Sequence, residues 1–255
     1  MQKFYPKGRR LPALERAILK YRAFQMMIIL FHIEDLKSFI LEAIRASNKR
    51  CLPEGTKNLY KKMWAIVVSE GILSQGESDD LQNIIDYRNQ IAHHIQELTF
   101  DISRDKCATG HFDLKGSQYD YSALERLEHY REQIHCKMEQ RFVIPLGFDS
   151  LLFASAEKTY RQEMKRLERV IERLMNKRKE ENAALKAELE SVDKQILEEI
   201  HPGYPDKVLR NGRLSQKGID CCQSLFQQGL SDLAISYLMR ISHASIRRRR
   251  KRWAT

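Results

Sequence analysis

Fifty consecutive residues, 151–200, contain neither glycine nor proline and are dense in charge. Nothing in such a stretch interrupts the backbone hydrogen-bond ladder of a helix, so a long helix is its natural conformation. Within it Tyr160, Met164, Leu167, Ile171 and Leu174 alternate by four and three, a heptad seam. The seam resumes as Leu185, Leu189, Val192 and Ile196 after eleven residues rather than seven, a four-residue stutter across the hydrophilic NKRKEEN. Two arrangements fit this pattern. One is a parallel coiled coil that dimerises the chain; the other is a single amphipathic helix folded back on the bundle.

The rest of the chain is equally poor in helix breakers, with 11 Gly and 6 Pro in 255 residues, so an all-α fold is expected. Pro12 suits the first turn of a helix reaching about Ala46, whose centre AFQMMIILF is apolar on nearly every side and should be buried all round. CLPEGT (51–56) ends it, and a second helix fits 56–70, stopping near Gly71. A third runs from about Ser78 to Leu98, with Glu77, Asp79 and Asp80 around its positive end. Residues 99–119 read as a loop carrying Gly110 and Gly116. Ser122 followed by Glu125 is a capping box for a fourth helix, which stripes Leu124, Leu127, Tyr130, Ile134 and Met138. The expected organisation is a four-helix bundle over 1–148, ending near Pro145 and Gly147, and a long coiled-coil or dimerisation helix over 149–200. HPGYP (201–205) then opens a basic module over 201–255.

Charge singles out that module. The chain carries +10, yet residues 201–255 hold 11 Lys/Arg against 3 Asp/Glu, a local +8; the first 200 keep only 33 against 31. Local asymmetry of this size points to a polyanionic partner. The five cysteines, at 51, 107, 136, 221 and 222, form no CxxC pair and no complete disulfide framework, and the vicinal pair suits core filling. The apolar run MMIILFHI (26–33) is too short to cross a bilayer and runs into Glu34 and Asp35, so a cytoplasmic protein with no membrane partner is expected. His32 reads as a core residue and His129 as a solvated one. His111, His135, His201 and His243 lack the spacing of metal ligands, so neither metal nor cofactor is expected.

Inside the basic module, Ile219, Cys222, Leu225 and Phe226 suit the inner face of a short helix ending at Gly229. Ser231 can cap a second, with Ile235 and Leu238 inward; Ile241 and Ser242 form a turn and cap, and Ile246 anchors a third. The stretch Ile235–Ser242, continued by Ser245 to Arg248, resembles a helix-turn-helix, with Ser236 where that family usually has Ala and Arg240 where Gly is common. The resemblance implies that Ser242 opens a recognition helix. His243, Ser245 and Arg247 would then face a DNA groove, while Arg248, Arg249, Arg250, Lys251 and Arg252 meet phosphates. A basic terminus that tethers nucleic acid without reading it is the alternative.

The third helix poses a separate problem. Leu81, Ile84, Ile85, Ile91, Ala92, Ile95 and Leu98 share one face, and Arg88 falls near its centre. A guanidinium there needs either an acidic partner or a wet surface that takes a phosphate. The pattern Arg88–Asn89–x–x–Ala92–His93, on the third helix of an apparent bundle, resembles the signature of the HEPN family over roughly residues 10–142. That resemblance implies a metal-independent endoribonuclease acting as a homodimer, each protomer giving one motif to a shared cleft. His93, or His94 beside it, would move the proton of an RNA 2′-hydroxyl or protonate the leaving oxygen. Arg88 would hold the phosphate and Asn89 orient the imidazole or the phosphate, leaving a 2′,3′-cyclic phosphate and a 5′-hydroxyl. On one regular helix Arg88 and His93 stand about 140° apart, so a kink, arginine's long reach or the second protomer must close the gap. The family also implies a toxin or phage-defence role held in check by an antitoxin or inhibitor. The rival is a dimeric DNA-binding transcription regulator with a non-catalytic bundle, and a third possibility is a scaffold built on the long helix.

Overall fold

The computed structural model describes residues 13–47, 52, 55–94, 98, 102, 119–144, 149–203, 205–209 and 213–253. Pro12, Ile95, the loop glycines Gly110 and Gly116, His111, Pro145 and Gly147 lie outside them, as do parts of CLPEGT and HPGYP. The class is all-α. The helices are α1 (Ala13–Ala46), α2 (Leu59–Ser69), α3 (Gln75–His93), α4 (Ala123–Glu139), α5 (Asp149–Ser191), α6 (Lys194–Ile200), α7 (Gln216–Gln227), α8 (Asp232–Met239) and α9 (His243–Trp253). Among the described residues the one β feature is an isolated antiparallel bridge, Val208 to Leu214, and no helix is long and apolar enough to cross a membrane. The chain divides into two compact units, with the divisions falling inside α1 after Arg16 and inside α5 after Ile171.

The larger unit is built on α1. Ile28, Ile29, Ile33, Leu36, Ile40 and Ile44 meet Met63, Trp64 and Val67 of α2, Leu81 and Ile84 of α3, Leu127, Ile134 and Met138 of α4, and Met164 of α5 in one core. Burying each such side chain contributes about 2 kcal/mol, which exceeds the roughly 0.5 kcal/mol by which isoleucine lags alanine as a helix former. One expectation fails here: Met27 is 45% exposed, so α1 is not buried on every side. Two caps also differ. Ser122 makes no cap; its N–H and hydroxyl both go to Asp120 Oδ1, at 3.0 and 2.7 Å. The capping box lies instead at Ser74 and Glu77, which starts α3 about a turn earlier than its apolar pattern suggested.

The long seam finds partners within the chain. Met164 belongs to the larger unit's core and Tyr160 packs against it, whereas Leu185, Leu189 and Val192 pack against the core of the smaller unit. The helix expected to be unbroken to Ile200 stops at Ser191. Asp193 turns its carboxylate onto the N–H of Gln195, at 2.9 Å, and caps α6, a local bond that competes with helix continuation. At the start of this unit Glu15 is 2% exposed and carries a two-pronged ion pair with Arg178, at 2.6 and 3.0 Å. Its main core is Leu214, Cys221, Cys222, Leu225, Leu230, Ala234, Ile235, Met239, Ile241 and Ile246, supplied by α7, α8, α9 and their joints. The two cysteines fill space as expected, and burial pushes their thiols up, Cys221 to about 11 and Cys222 to about 12.

Candidate functional site

Arg88 lies on α3 between buried Ile84, Ile85 and Ile91, yet 19% of its side chain stays exposed, so the guanidinium emerges at the rim of the apolar face rather than within it. Its Nη1 donates to Asn89 Oδ1 at 2.7 Å. Its Nη2 stands 3.5 Å from Glu34 Oε1 of α1, a carboxylate that is itself half exposed and also accepts from Lys37 Nζ at 3.3 Å. An acidic partner therefore exists, but a pair this exposed is worth about 0–1 kcal/mol and does not seal the guanidinium away. Sequence spacing could not have found Glu34, which lies on another helix.

The histidines stand at the end of the same helix. His93 is the last residue of α3, and His94 caps it through its N–H to Gln90 O at 2.8 Å; both are exposed. The helix thus ends well before Leu98. Arg88 and Asn89 are brought together, and among the described residues neither histidine bonds to Arg88. A phosphate could meet the guanidinium from solvent, and an imidazole on a helix terminus has room to turn.

The guanidinium that the structure does bury is Arg22 on α1. It is 0% exposed, its Nε donates to Tyr121 Oη at 2.8 Å and its Nη1 to Leu98 O at 2.7 Å, and its head lies 4.8 Å from the Tyr119 ring centre and 5.3 Å from that of Tyr121. Burial raises the phenols around it, Tyr87 to about 12. Oxygen acceptors and ring faces thus surround the buried guanidinium. The signal was present in the sequence, since Ile18, Gln25 and Ile29 flank Arg22 at helical spacing.

The smaller unit carries the other candidate site. Helices α7, α8 and α9 pack in sequence around the core just described, with the joint between α8 and α9 at Arg240 to Ser242. Arg240 adopts a left-handed conformation, φ 53°, which is what a glycine at that turn would adopt at no cost. Ser236 is fully buried, and its hydroxyl donates to Ile241 O at 2.6 Å, tying α8 to the turn. Both departures from the helix-turn-helix pattern thus bear on one joint, Arg240 within it and Ser236 through its bond to Ile241 O, and each has a local structural role. Ser242 caps α9, its Oγ accepting from Ser245 N at 3.3 Å and bonding Ser245 Oγ at 2.8 Å.

Along α9, Ile246 points into the core, and the helical repeat places Arg247, Arg248, Lys251 and Arg252 on the opposite, exposed side. Arg249 is half-buried. Arg250 turns inward: it pairs with Asp232 through Nε, donates to Leu230 O at 2.5 Å and lies 4.4 Å over the Phe226 ring. His243 lies to one side of the exposed face and is half-buried. The outward row is an exposed cationic surface, whereas Arg250 holds α9 to the first turn of α8.

His32 is buried as expected, but it faces Glu128 and Glu157, a grouping its lone place in an apolar run did not reveal. Comparison with protein-family models, with curated proteins and with solved structures finds no match for this chain.

Proposed function

We propose that this chain is a metal-independent endoribonuclease whose C-terminal helices bind DNA. The observation that carries the reading is the rim position of Arg88, braced by Asn89 and only loosely paired with Glu34, one and a half turns before a solvent-facing His93. Two such motifs, one from each protomer of a homodimer, would give a phosphodiester both a guanidinium for its developing charge and an imidazole for proton transfer. The exposed cationic row on α9 fits the DNA-binding half, because outward guanidinium and ammonium groups neutralise phosphates. It would place the nuclease on nucleic acid or on its own promoter.

A second reading is a DNA-binding regulator with a non-catalytic bundle. The Glu34 carboxylate favours it, because an anion beside Arg88 occupies the charge an RNA phosphate would need.

One set of measurements separates them. Purified full-length protein in EDTA should cleave RNA to 2′,3′-cyclic phosphate ends, and His93→Ala should slow this by about 10²–10⁴-fold. Equal cleavage by parent and variant, or none by either, removes the ribonuclease reading. Arg247→Ala with Arg248→Ala should weaken duplex binding and lower its salt slope by about 2; an unchanged slope removes the DNA-binding half.

A further inference from the structure

Three helices of the larger unit bring metal-ligand atoms together at a place that neither candidate site uses. His32 of α1, Glu128 of α4 and Glu157 of α5 each offer one such atom, all within 4.8 Å of one another. His32 Nε2 stands 3.3 Å from Glu157 Oε1 and 3.9 Å from Glu128 Oε1. A four-coordinate ion with bonds of about 2.0–2.2 Å needs donor-to-donor edges of roughly 3.3–3.6 Å, so small side-chain shifts would complete the set.

The imidazole is the second sign. His32 is 1% exposed, and among the described residues neither of its ring nitrogens has a hydrogen-bond partner. Leaving a buried polar group unpaired costs about 1–3 kcal/mol, a cost that a bond from Nε2 to a ligand would remove. Burial, and after it the charge of Arg131, lower the pKa of this histidine, so its lone pair is available at neutral pH. Phe31 and Phe153 stand edge-on to the ring and keep that side apolar.

A cation already occupies the carboxylate side. Arg161, one turn beyond Glu157 on α5, reaches both Glu128 and Glu157 with Nη2, and its Nε donates to Glu157 Oε1 at 2.7 Å. Its side chain is 39% exposed, so the guanidinium has a path into solvent.

We infer that His32, Glu128 and Glu157 form a site for one zinc-like divalent cation, which enters by displacing the Arg161 guanidinium and keeps a fourth position for water. A buried imidazole with two carboxylates suits Zn²⁺ or Co²⁺ better than Mg²⁺ or Ca²⁺, which take mainly oxygen ligands. The ion would bind three helices together, a structural role independent of RNA cleavage.

The test uses full-length protein stripped with EDTA, dialysed and titrated calorimetrically with Zn²⁺ alone, then with Co²⁺ followed by its visible absorption. One equivalent should bind, with a Co²⁺ spectrum of low coordination number lacking thiolate charge transfer. Glu157→Gln and Glu128→Gln should each weaken binding by tenfold or more, and Arg161→Gln should tighten it by about as much. His32→Ala, checked for helix content by circular dichroism, should abolish it; if that variant does not fold, the two glutamine variants decide. The inference is overturned by any of three outcomes: no saturable binding to the parent protein, binding only to Arg161→Gln, or affinity unchanged in Glu157→Gln and Glu128→Gln.

Discussion

The two units hold their cores together by different means. The larger one buries polar groups among its isoleucines: Arg22, Gln25 and His32 are each 2% exposed or less. The core around α7, α8 and α9 is Leu, Ile, Ala, Cys and Met with Ser236 as its buried polar side chain, and it depends on close main-chain approach and a left-handed turn. One core is thus sensitive to lost hydrogen-bond partners, the other to backbone shape. The paired cations of the larger unit differ from the outer face of α9, although the smaller unit also pairs Arg178 with Glu15 and Arg250 with Asp232. In the larger unit Arg126 pairs with Asp80 and Asp120, Arg131 with Asp35, and Arg161 with Glu128 and Glu157. On α9, Arg247 and Arg248 face solvent. Arginines neutralised from within serve the fold, and those turned outward leave positive charge on the surface.

The sharpest way to break this contrast is Arg22→Leu. The leucine is apolar enough for the site but removes the donors from which Leu98 O and Tyr121 Oη now accept. The expected loss is about 3–5 kcal/mol, read as a lower denaturant midpoint in urea. Arg250→Leu, removing a cation that is 42% exposed, should cost about 1 kcal/mol by the same assay. Similar losses for both would mean that burial of the cation is not what separates the units.

Gly218→Ala probes the other core. A Cβ at this position would lie 2.2 Å from Lys207 O and 3.0 Å from Leu214 Cδ2, and the first of these is main chain that cannot step aside cheaply. The first turn of α7 would have to lift off the 205–208 segment, with an expected cost of about 1–3 kcal/mol. Melting of α7 to α9 followed by hydrogen exchange would show it, and an unchanged protection pattern would refute the close-approach account.

The helices were legible because apolar residues recur at helical spacing and breakers are few; α2, α4, α7, α8 and α9 fall near where Trp64, Leu127, Leu225, Ile235 and Ile246 required them. Side-chain choices between equally local partners were not. Ser122 had the spacing of a capping box, yet Asp120 two residues earlier takes its hydroxyl. Asp193 interrupts a stretch with no glycine or proline by accepting from the N–H of Gln195, two residues on. At the candidate site Arg88 with Asn89 was legible as a motif, but Glu34 was not, and neither were Glu128 and Glu157 around His32. Those pairs come from different helices, and their meeting depends on packing that no spacing encodes. The same logic that isolated Arg88 applied to Arg22, where it would have found the guanidinium that is fully enclosed.

Acid should separate the units further. Burial lowers the pKa of His32 and of His135, both in the larger unit. For a base whose folded pKa lies below its unfolded value of 6.5, the unfolded chain binds the proton more readily. The stability these groups support is therefore complete above pH 6.5 and falls as pH drops from there towards the folded pKa. Between pH 6.5 and 5, urea midpoints of the parent should decline, and His32→Gln should flatten that decline although its stability at pH 8 changes in either direction. An identical slope in parent and variant would remove His32 as a source of acid sensitivity.

The smallest expected effect has the opposite sign. Arg240 holds φ 53° at the end of α8, its side chain is exposed, and its N–H closes the helix on Ser236 O. A residue with a Cβ in this conformation is strained by about 1–2 kcal/mol, while replacing it by glycine loosens the unfolded chain by about 0.4–1 kcal/mol. The difference leaves Arg240→Gly more stable by up to about 1 kcal/mol, with the α8–α9 turn unchanged because Ser236 Oγ still bonds Ile241 O. In the larger unit the comparable left-handed residue is Asn58, which tolerates the conformation better, so Asn58→Gly should gain less. Duplex binding measured alongside tells whether Arg240 is also a phosphate contact: a stabilised variant that binds DNA with the parent's salt slope assigns this arginine to the turn alone.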